Sequence, residues 1–189
     1  MKRFNVINYF IEKYKYKKYL EIGIDNPNNC FNKINCKEKI GVDPNKQTTF
    51  KMTSNEFFNQ NSEKFDIIFI DGLHIKNQFI MDVENSINCI NKNGIIICHD
   101  CRPYNEKVAS PVRVSGQSWY GDVYLGWLHL RYYRRDIKMG VLPYDCGIGI
   151  IKKGVQETFP RLITDFPTYA ALQNHALPII SIDEMKKEF

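Results

Sequence analysis

Apolar and polar positions alternate along the first half of the chain in blocks that predict helices and strands in turn. Apolar residues at helical spacing near the N-terminus are Val6, Ile7, Phe10, Ile11 and Tyr14. They predict an amphipathic helix over residues 4–16. Four short apolar runs follow and predict strands, at 19–24, 39–42, 66–70 and 95–98. A weaker strand is predicted over 49–52. The run at 66–70 is continuously apolar, which suits a strand that is buried on both faces.

Helical patterns separate and follow these runs. Thr53 or Ser54 is expected to cap a short helix that includes Phe57 and Phe58. Apolar spacing from Phe79 to Ile90 predicts a longer helix that ends at Asn93-Gly94, since glycine is common just after a helix. Two further helices are expected at 120–131 and, in the C-terminal tail, 169–177.

The order of the elements predicts the fold. Strands that alternate with helices, followed by two late strands at 137–142 and 147–151, predict an α/β Rossmann-like three-layer sandwich. Its sheet would be mostly parallel, with a C-terminal antiparallel hairpin, because only four residues join the late strands. The chain has no internal repeat and no linker, so residues 1–189 are expected to form one domain.

Composition limits the class of protein. With 189 residues, 43% hydrophobic and 25% charged, the chain can bury a core and has no long disordered segment. No apolar run approaches the roughly 20 residues that span a bilayer, so a cytoplasmic protein is expected. The six cysteines are expected to be reduced thiols. The net charge of +5 includes basic clusters at 13–18 and 131–135, which are read as solvated helix ends.

Titratable residues stand where two of the predicted strands stop. Asp71-Gly-Leu-His74 follows one strand and His99-Asp100 follows the next. Carboxyl ends of parallel strands meet at one edge of the sheet, so these groups should face one crevice. A histidine, with a pKa near ~6.5, suits the removal of a hydroxyl proton, and either His74 or His99 is the predicted base while the other orients substrate. Asp71 and Asp100 offer the oxygen ligands that Mg²⁺ prefers.

The two earlier strands end in residues that suit a nucleoside-containing cofactor. Gly23 follows Glu21 and allows a ligand to approach the backbone closely. Asp43 ends the next strand, where an acid can accept both hydroxyls of a ribose. No Gly-x-Gly-x-x-Gly follows the first strand, which disfavours a nicotinamide enzyme.

These motifs, in this order over residues 18–153, resemble those of class I S-adenosylmethionine-dependent methyltransferases. Asp-Gly-x-His and His-Asp resemble, more narrowly, the small O-methyltransferases of glycan and macrolide-sugar biosynthesis. The resemblance implies that Glu21 and Gly23 line the methionine end of S-adenosylmethionine, that Asp43 takes the ribose, that Ser54 lies near the adenine and that Asp71 faces the methyl group. The family's usual further glycines are replaced here by Asp25-Asn-Pro-Asn28, residue types that tolerate turn backbone.

The predicted function is a metal-assisted O-methyltransferase domain that acts on a small-molecule or saccharide acceptor. Trp119 follows a polar loop and is a candidate to cover the acceptor. Two alternatives stay open: a nucleic-acid methyltransferase, suggested by the basic tyrosine-rich segments, and a non-catalytic Rossmann-like binding module. The Asn/Asp-Pro-Pro-aromatic motif of amino-directed base methylation is absent, so nucleic acid is the less favoured partner. A homo-oligomer is possible.

Overall fold

The computed structural model describes residues 1–46 and 48–189. Its helices are α1 (Arg3–Tyr14), α2 (Ser54–Gln60), α3 (Lys76–Cys89), α4 (Val123–Tyr133), α5 (Phe166–Ala176) and α6 (Ile182–Glu188). Its strands are β1 (Lys18–Ile22), β2 (Glu38–Val42), β3 (Phe65–Ile70), β4 (Ile90–Cys98), β5 (Ile137–Leu142) and β6 (Ile148–Lys153). No helix among the described residues is both long and apolar enough to cross a membrane.

The strands form one sheet in the order β2-β1-β3-β4-β6-β5. β2, β1, β3 and β4 run parallel, and β6 pairs antiparallel with both β4 and β5. This is the predicted α/β Rossmann-like arrangement with a C-terminal antiparallel hairpin, so the predicted fold class is confirmed. The chain passes from β1 outward to β2 and returns to place β3 on the other side of β1. The sheet therefore has its topological switch point between β1 and β3, where ligands of open α/β sheets bind.

Alternate residues of each central strand enter two different cores, which accounts for the continuous apolar runs in the sequence. On one face, Tyr19, Ile67 and Ile95 pack with α1 and α6. On the other face, Leu20 and Ile68 pack with α2, α3, α4 and α5. A strand that is covered on both faces has no solvent side, so it loses the usual alternation with polar residues.

The predicted C-cap at Asn93-Gly94 is wrong. Helix α3 ends at Cys89, and β4 already begins at Ile90, which is buried and pairs with Phe65. The β3–β4 register shifts between Phe65 and Ile67. Gly94 lies at this bend, where an added Cβ would stand 2.7 Å from the Asp66 carbonyl oxygen. The glycine is thus explained by close packing of two strands and not by a helix end.

The weak strand predicted over 49–52 is reduced to one parallel bridge between Phe50 and Val42. Phe50 packs against Phe57, whereas the next residue, Lys51, is exposed and has no strand beyond it to pair with. The predicted cap of the following helix is confirmed at Thr53, whose side chain accepts a hydrogen bond from the Glu56 amide.

Candidate active site

The sheet register sets three of the predicted residues side by side. Ile22, Ile70 and Cys98 are paired neighbours at the ends of β1, β3 and β4. The ladder continues one residue beyond each strand, since Asp71 N donates to Ile22 O at 2.8 Å and His99 N donates to Ile70 O at 3.1 Å. Gly23, Asp71 and His99 therefore form a row along the carboxyl edge of the sheet.

The end of β1 combines a buried acid with a close backbone approach. The Glu21 side chain is only 2% exposed and accepts a hydrogen bond from the Tyr19 hydroxyl. Burial raises the pKa of Glu21 to about 8, although the Tyr19 hydrogen bond opposes that rise. Gly23 has φ +86°, and a Cβ there would lie 2.2 Å from the Asp71 carbonyl oxygen. Gly23 thus lets the backbones at the ends of β1 and β3 meet.

Asp43 and Ser54 lie farther toward the β2 side. Both carboxylate oxygens of Asp43 accept backbone hydrogen bonds at 2.8 Å, one from Ile24 N and one from Asn45 N. This pairing holds the loop after β1 against the end of β2. Ser54 opens α2, and its hydroxyl accepts a hydrogen bond from Gln78 Nε2 at 3.1 Å. Their predicted contacts with ribose and adenine stay predictions.

The second pair of strand ends forms a dense cluster of charges. His74 Nε2 lies 3.3 Å from Asp71 Oδ1, and His74 Nδ1 lies 3.2 Å from Asp100 Oδ2. His99 Nδ1 lies 3.1 Å from Asp100 Oδ1 and 3.4 Å from Asp71 Oδ1. The structure thus brings together all four of the residues that the sequence predicts for catalysis and metal binding.

Local structure fixes His74 from both sides. Its Nδ1 lies 3.0 Å from the Trp119 carbonyl oxygen, and the Trp119 ring stacks on the imidazole with centroids 4.9 Å apart. Gly121 has φ +63° and lies so close to the His74 carbonyl that a Cβ would be 1.7 Å from its oxygen. Asp122 accepts a hydrogen bond from Lys76 N, at the start of α3. The loop before α4 therefore positions the histidine.

Two residues of the cluster were missed in the sequence, Arg3 and Asp145. Arg3 Nη1 lies 2.7 Å from His99 Nε2 and 3.1 Å from Asp145 Oδ2, and Arg3 Nε lies 3.8 Å from Asp71 Oδ2. Asp145 lies in the turn between β5 and β6, with φ +45°. Arg3 and Asp145 are 142 positions apart in sequence. A turn aspartate and an arginine that begins a helix carry no sequence signal that would link them.

The charges of the cluster stabilise one another. Burial acts to raise the pKa of Asp71, but His99 and His74 outweigh it and hold that pKa well below its usual range. Burial lowers the pKa of His74, but Asp71 and Asp100 reverse the direction and raise it. The same carboxylates raise the pKa of His99 against the effect of burial. Because a guanidinium only donates, His99 Nε2 must accept in its short contact with Arg3, and this contact opposes the rise by favouring the neutral ring.

The donor set fits a hard divalent cation. One ligand atom from each of Asp71, His74 and Asp100 lies within 4.8 Å of the others. Two of these residues are carboxylates from adjacent strand ends, as oxygen-preferring cations require. The nearby thiols of Cys98 and Cys101 are fully buried and free.

A family model described as a methyltransferase domain matches residues 32–101 of this chain. That segment includes β2, β3, β4 and the Asp71, His74, His99 and Asp100 motifs. A search of curated proteins found no match to the sequence.

Similar solved structures are methyltransferases of low sequence identity. A putative caffeoyl-CoA O-methyltransferase from Staphylococcus aureus has a TM-score of 0.57 at 18% identity, over 80% of this chain and 82% of that one. The S-adenosylhomocysteine-bound methyltransferase PaMTH1 of Podospora anserina has a TM-score of 0.53 at 16% identity, over 78% and 76%.

MycE, from the mycinamycin biosynthetic pathway and in complex with Mg and S-adenosylhomocysteine, is also similar. Its TM-score is 0.53 at 16% identity, over 89% of this chain but 54% of MycE. At these identities the likeness concerns the fold, while the family model adds the sequence match across the central strand ends. Residues 32–101 therefore resemble a methyltransferase domain in sequence, and the chain has the fold of these methyltransferases.

Proposed function

We propose that this protein is an O-methyltransferase that transfers the methyl group of S-adenosylmethionine to a hydroxyl of a sugar or a related small molecule, with the help of a divalent cation. The observation that carries the proposal is the grouping of Asp71, His74 and Asp100 beside the switch point of the sheet. Hydroxyl groups are very weak acids, so their methylation benefits from a cation and a nearby base.

The residues at the β1 and β2 ends suit the cofactor. Glu21 supplies a buried acid for the methionine end, and Asp43 supplies carboxylate oxygens at the next strand end. S-adenosylmethionine supplies a methyl group on a positively charged sulfur. Two of the similar proteins, PaMTH1 and MycE, were solved with S-adenosylhomocysteine, which supports this choice.

Asp71 and Asp100 would hold the cation, for which the Mg in the MycE structure offers a precedent. The cation lowers the pKa of the hydroxyl that it binds. The carboxylates of Asp71 and Asp100 also keep His74 and His99 oriented toward the same point. The low pKa of Asp71 keeps it ionised at neutral pH.

We assign the role of general base to His74. Its Nδ1 faces the Trp119 carbonyl oxygen, and since a carbonyl only accepts, Nδ1 carries the hydrogen of the neutral ring. Nε2 is then the atom that takes the proton. As the acceptor oxygen bonds to the methyl carbon, the sulfur–carbon bond breaks and the hydroxyl proton moves to Nε2. His99 suits this role less, because it is almost fully buried and its Nε2 faces Arg3.

The positions of the basic clusters weigh against a nucleic-acid substrate. Residues 13–18 run from the end of α1 to the first residue of β1 and lie at the amino edge of the parallel strands, opposite the strand ends that hold Asp71. In the second cluster, Arg134 is paired with Glu84 and Asp136, and Arg131 bonds Gln156. Trp119, half-buried and stacked on His74, instead offers an aromatic surface next to the reacting centre for a sugar ring.

The first test is calorimetric titration of the protein with S-adenosylhomocysteine, with and without Mg²⁺. Binding of micromolar strength, about −8 kcal/mol, is expected. Transfer of labelled methyl from S-adenosylmethionine is then measured with nucleotide sugars, glycosides and RNA as acceptors. A hydroxylated small molecule should be methylated in a Mg²⁺-dependent reaction.

Asp71→Asn should abolish that transfer, whereas Asp183→Asn, an exposed residue of α6, serves as the matched control and should retain it. Absence of S-adenosylhomocysteine binding under both conditions contradicts the proposal. Preferred methylation of RNA would favour the nucleic-acid alternative, and undiminished transfer by Asp71→Asn would refute the metal role.

A further inference from the structure

The methionine end of S-adenosylmethionine carries an ammonium and a carboxylate. Glu21 is predicted to line that end and Asp71 to face the adjacent methyl group, and both side chains are acids. Their oxygens can accept hydrogen bonds from the ammonium, but the ionised Asp71 repels the carboxylate. A cationic donor near the ends of β1 and β3 would offset that repulsion.

Arg3 is a cation at this position. Its Nε is buried, lies 3.8 Å from Asp71 Oδ2 and has no hydrogen-bond partner among the described residues. The positive charge of Arg3 also acts on Glu21 at the end of β1. Burial raises the pKa of Glu21, and the charge of Arg3 opposes that rise. A buried guanidinium N–H without a partner is costly, so a ligand acceptor at this point would satisfy it.

The guanidinium is held in place before any ligand binds. Asp145 Oδ2 accepts hydrogen bonds from the Arg3 backbone N at 2.9 Å and from Nη1 at 3.1 Å. Helix α1 is anchored on the sheet by Val6 and Phe10, which are fully buried. A donor that is already fixed loses little conformational freedom on binding. Lys2 also pairs with Asp145, but its side chain is 65% exposed and lies outside the cluster.

We propose that Arg3 binds the carboxylate of the methionine moiety of S-adenosylmethionine, so that the start of α1 is part of the cofactor site. This inference rests on the proposed function. Arg3 would act as a binding residue that selects the intact amino-acid end of the cofactor. The Asp145 turn would act through it as a positioning element.

The test compares S-adenosylhomocysteine with its decarboxylated analogue, which keeps the ammonium and the adenosine. The wild-type protein should bind the analogue more weakly by about 10- to 100-fold, the range expected for a charge-assisted hydrogen bond. Arg3→Met should weaken S-adenosylhomocysteine binding by a similar factor and leave binding of the analogue unchanged. Arg3→Lys should restore part of the affinity. Lys13→Met, a matched control at the exposed far end of α1, should bind both ligands as the wild type does.

The wild-type comparison of the two ligands does not depend on the folding of any variant, and thermal unfolding checks the variants themselves. Equal binding of both ligands by the wild type overturns the role of Arg3 and leaves the proposed function standing. Equal losses for both ligands in Arg3→Met would make Arg3 a structural residue only, which also overturns it. A wild-type protein that binds neither ligand overturns both the inference and the proposed function.

Discussion

The two halves of the carboxyl edge are built differently. At the β1 and β2 ends, polar side chains bond mainly to nearby segments: Asp43 accepts from Ile24 N and Asn45 N, and Glu21 accepts from the Tyr19 hydroxyl. At the β3 and β4 ends, charged side chains from two strand ends meet, and Arg3 and Asp145 join the cluster from remote parts of the chain.

The two halves of the edge therefore suit different tasks: the first suits ligand binding and the second suits the chemical reaction. The first half provides a fixed loop, a bare backbone at Gly23 and a few acceptors, which suits the holding of a cofactor. The second half concentrates opposite charges whose pKa values depend on one another, which is typical of reacting centres. If this division is right, changes in the two halves should affect different measurements.

The largest effect is expected in the second half, at His74. His74→Ala removes the proposed base and should lower kcat by about 10²- to 10⁴-fold, the usual contribution of a general base. The affinity for S-adenosylhomocysteine should be nearly unchanged. Methyl transfer under cofactor saturation and calorimetric binding measure the two quantities.

His99→Ala is the matched comparison, because His99 contacts the same carboxylates but its Nε2 faces Arg3. Its loss of kcat should be smaller than that of His74→Ala. In the metal-free wild type, burial lowers the pKa of His74 but Asp71 and Asp100 outweigh it, so NMR titration of His74 should give a pKa above the ordinary histidine value. The reverse order of the two variants would assign the base to His99.

In the first half, the largest effect is expected at Gly23. An alanine there would need φ +86° and would place Cβ 2.2 Å from the Asp71 carbonyl oxygen. The left-handed backbone and the overlap together should lower the free energy of unfolding by about 3 kcal/mol or more. Urea unfolding measures this loss, and S-adenosylhomocysteine binding should weaken with it.

Gly116→Ala is the control, since Gly116 has φ +77° but nothing within 4 Å of an added Cβ. Its cost should be limited to about 1 kcal/mol, from the backbone alone. Similar losses in both variants would mean that the contact between the β1 and β3 ends does not constrain Gly23.

Local sequence patterns were enough to predict the sheet, the order of its elements and the four residues of the strand-end motifs. Strand ends that follow buried runs are marked by a change from apolar to titratable residues, as at Asp71 and His99. The helix end after Cys89 was misjudged because Gly94 serves the packing of two strands, which depends on tertiary contacts. Arg3 and Asp145 could not be predicted for the same reason, since their contact exists only once α1 and the hairpin are placed on the sheet.

Glu21 offers a pH-dependent test of the first half. Because burial raises its folded-state pKa to about 8, its contribution to stability is fully present below the unfolded pKa, near ~4.5, and is lost as pH rises through about 8. Glu21→Gln removes this loss. The variant should match the wild type near pH ~4.5 and exceed its free energy of unfolding by about 2–4 kcal/mol above pH ~8.

Urea unfolding at a series of pH values measures the difference, and Glu12→Gln, an exposed residue of α1, serves as the control that should follow the wild-type curve. A difference between Glu21→Gln and the wild type that stays constant from pH ~4.5 to pH ~8 would show that Glu21 is ionised in the folded protein.

The smallest effects are expected at Thr53 and Ser54. These two neighbours have different expected roles, since Thr53 stabilises the fold and Ser54 contacts the cofactor. Thr53 caps α2 reciprocally with Glu56, so Thr53→Ala should lower the free energy of unfolding by about 1 kcal/mol and leave cofactor affinity unchanged. Ser54→Ala should leave stability nearly unchanged but weaken S-adenosylhomocysteine binding about fivefold, as the loss of one neutral hydrogen bond predicts. Both residues lie at the start of α2. If each substitution simply disturbed this helix, both variants would lose stability and cofactor affinity. If the roles are separate, Thr53→Ala changes only stability and Ser54→Ala changes only affinity. Loss of stability in Ser54→Ala without loss of affinity would place its hydroxyl with Gln78 in the fold and remove it from the cofactor site.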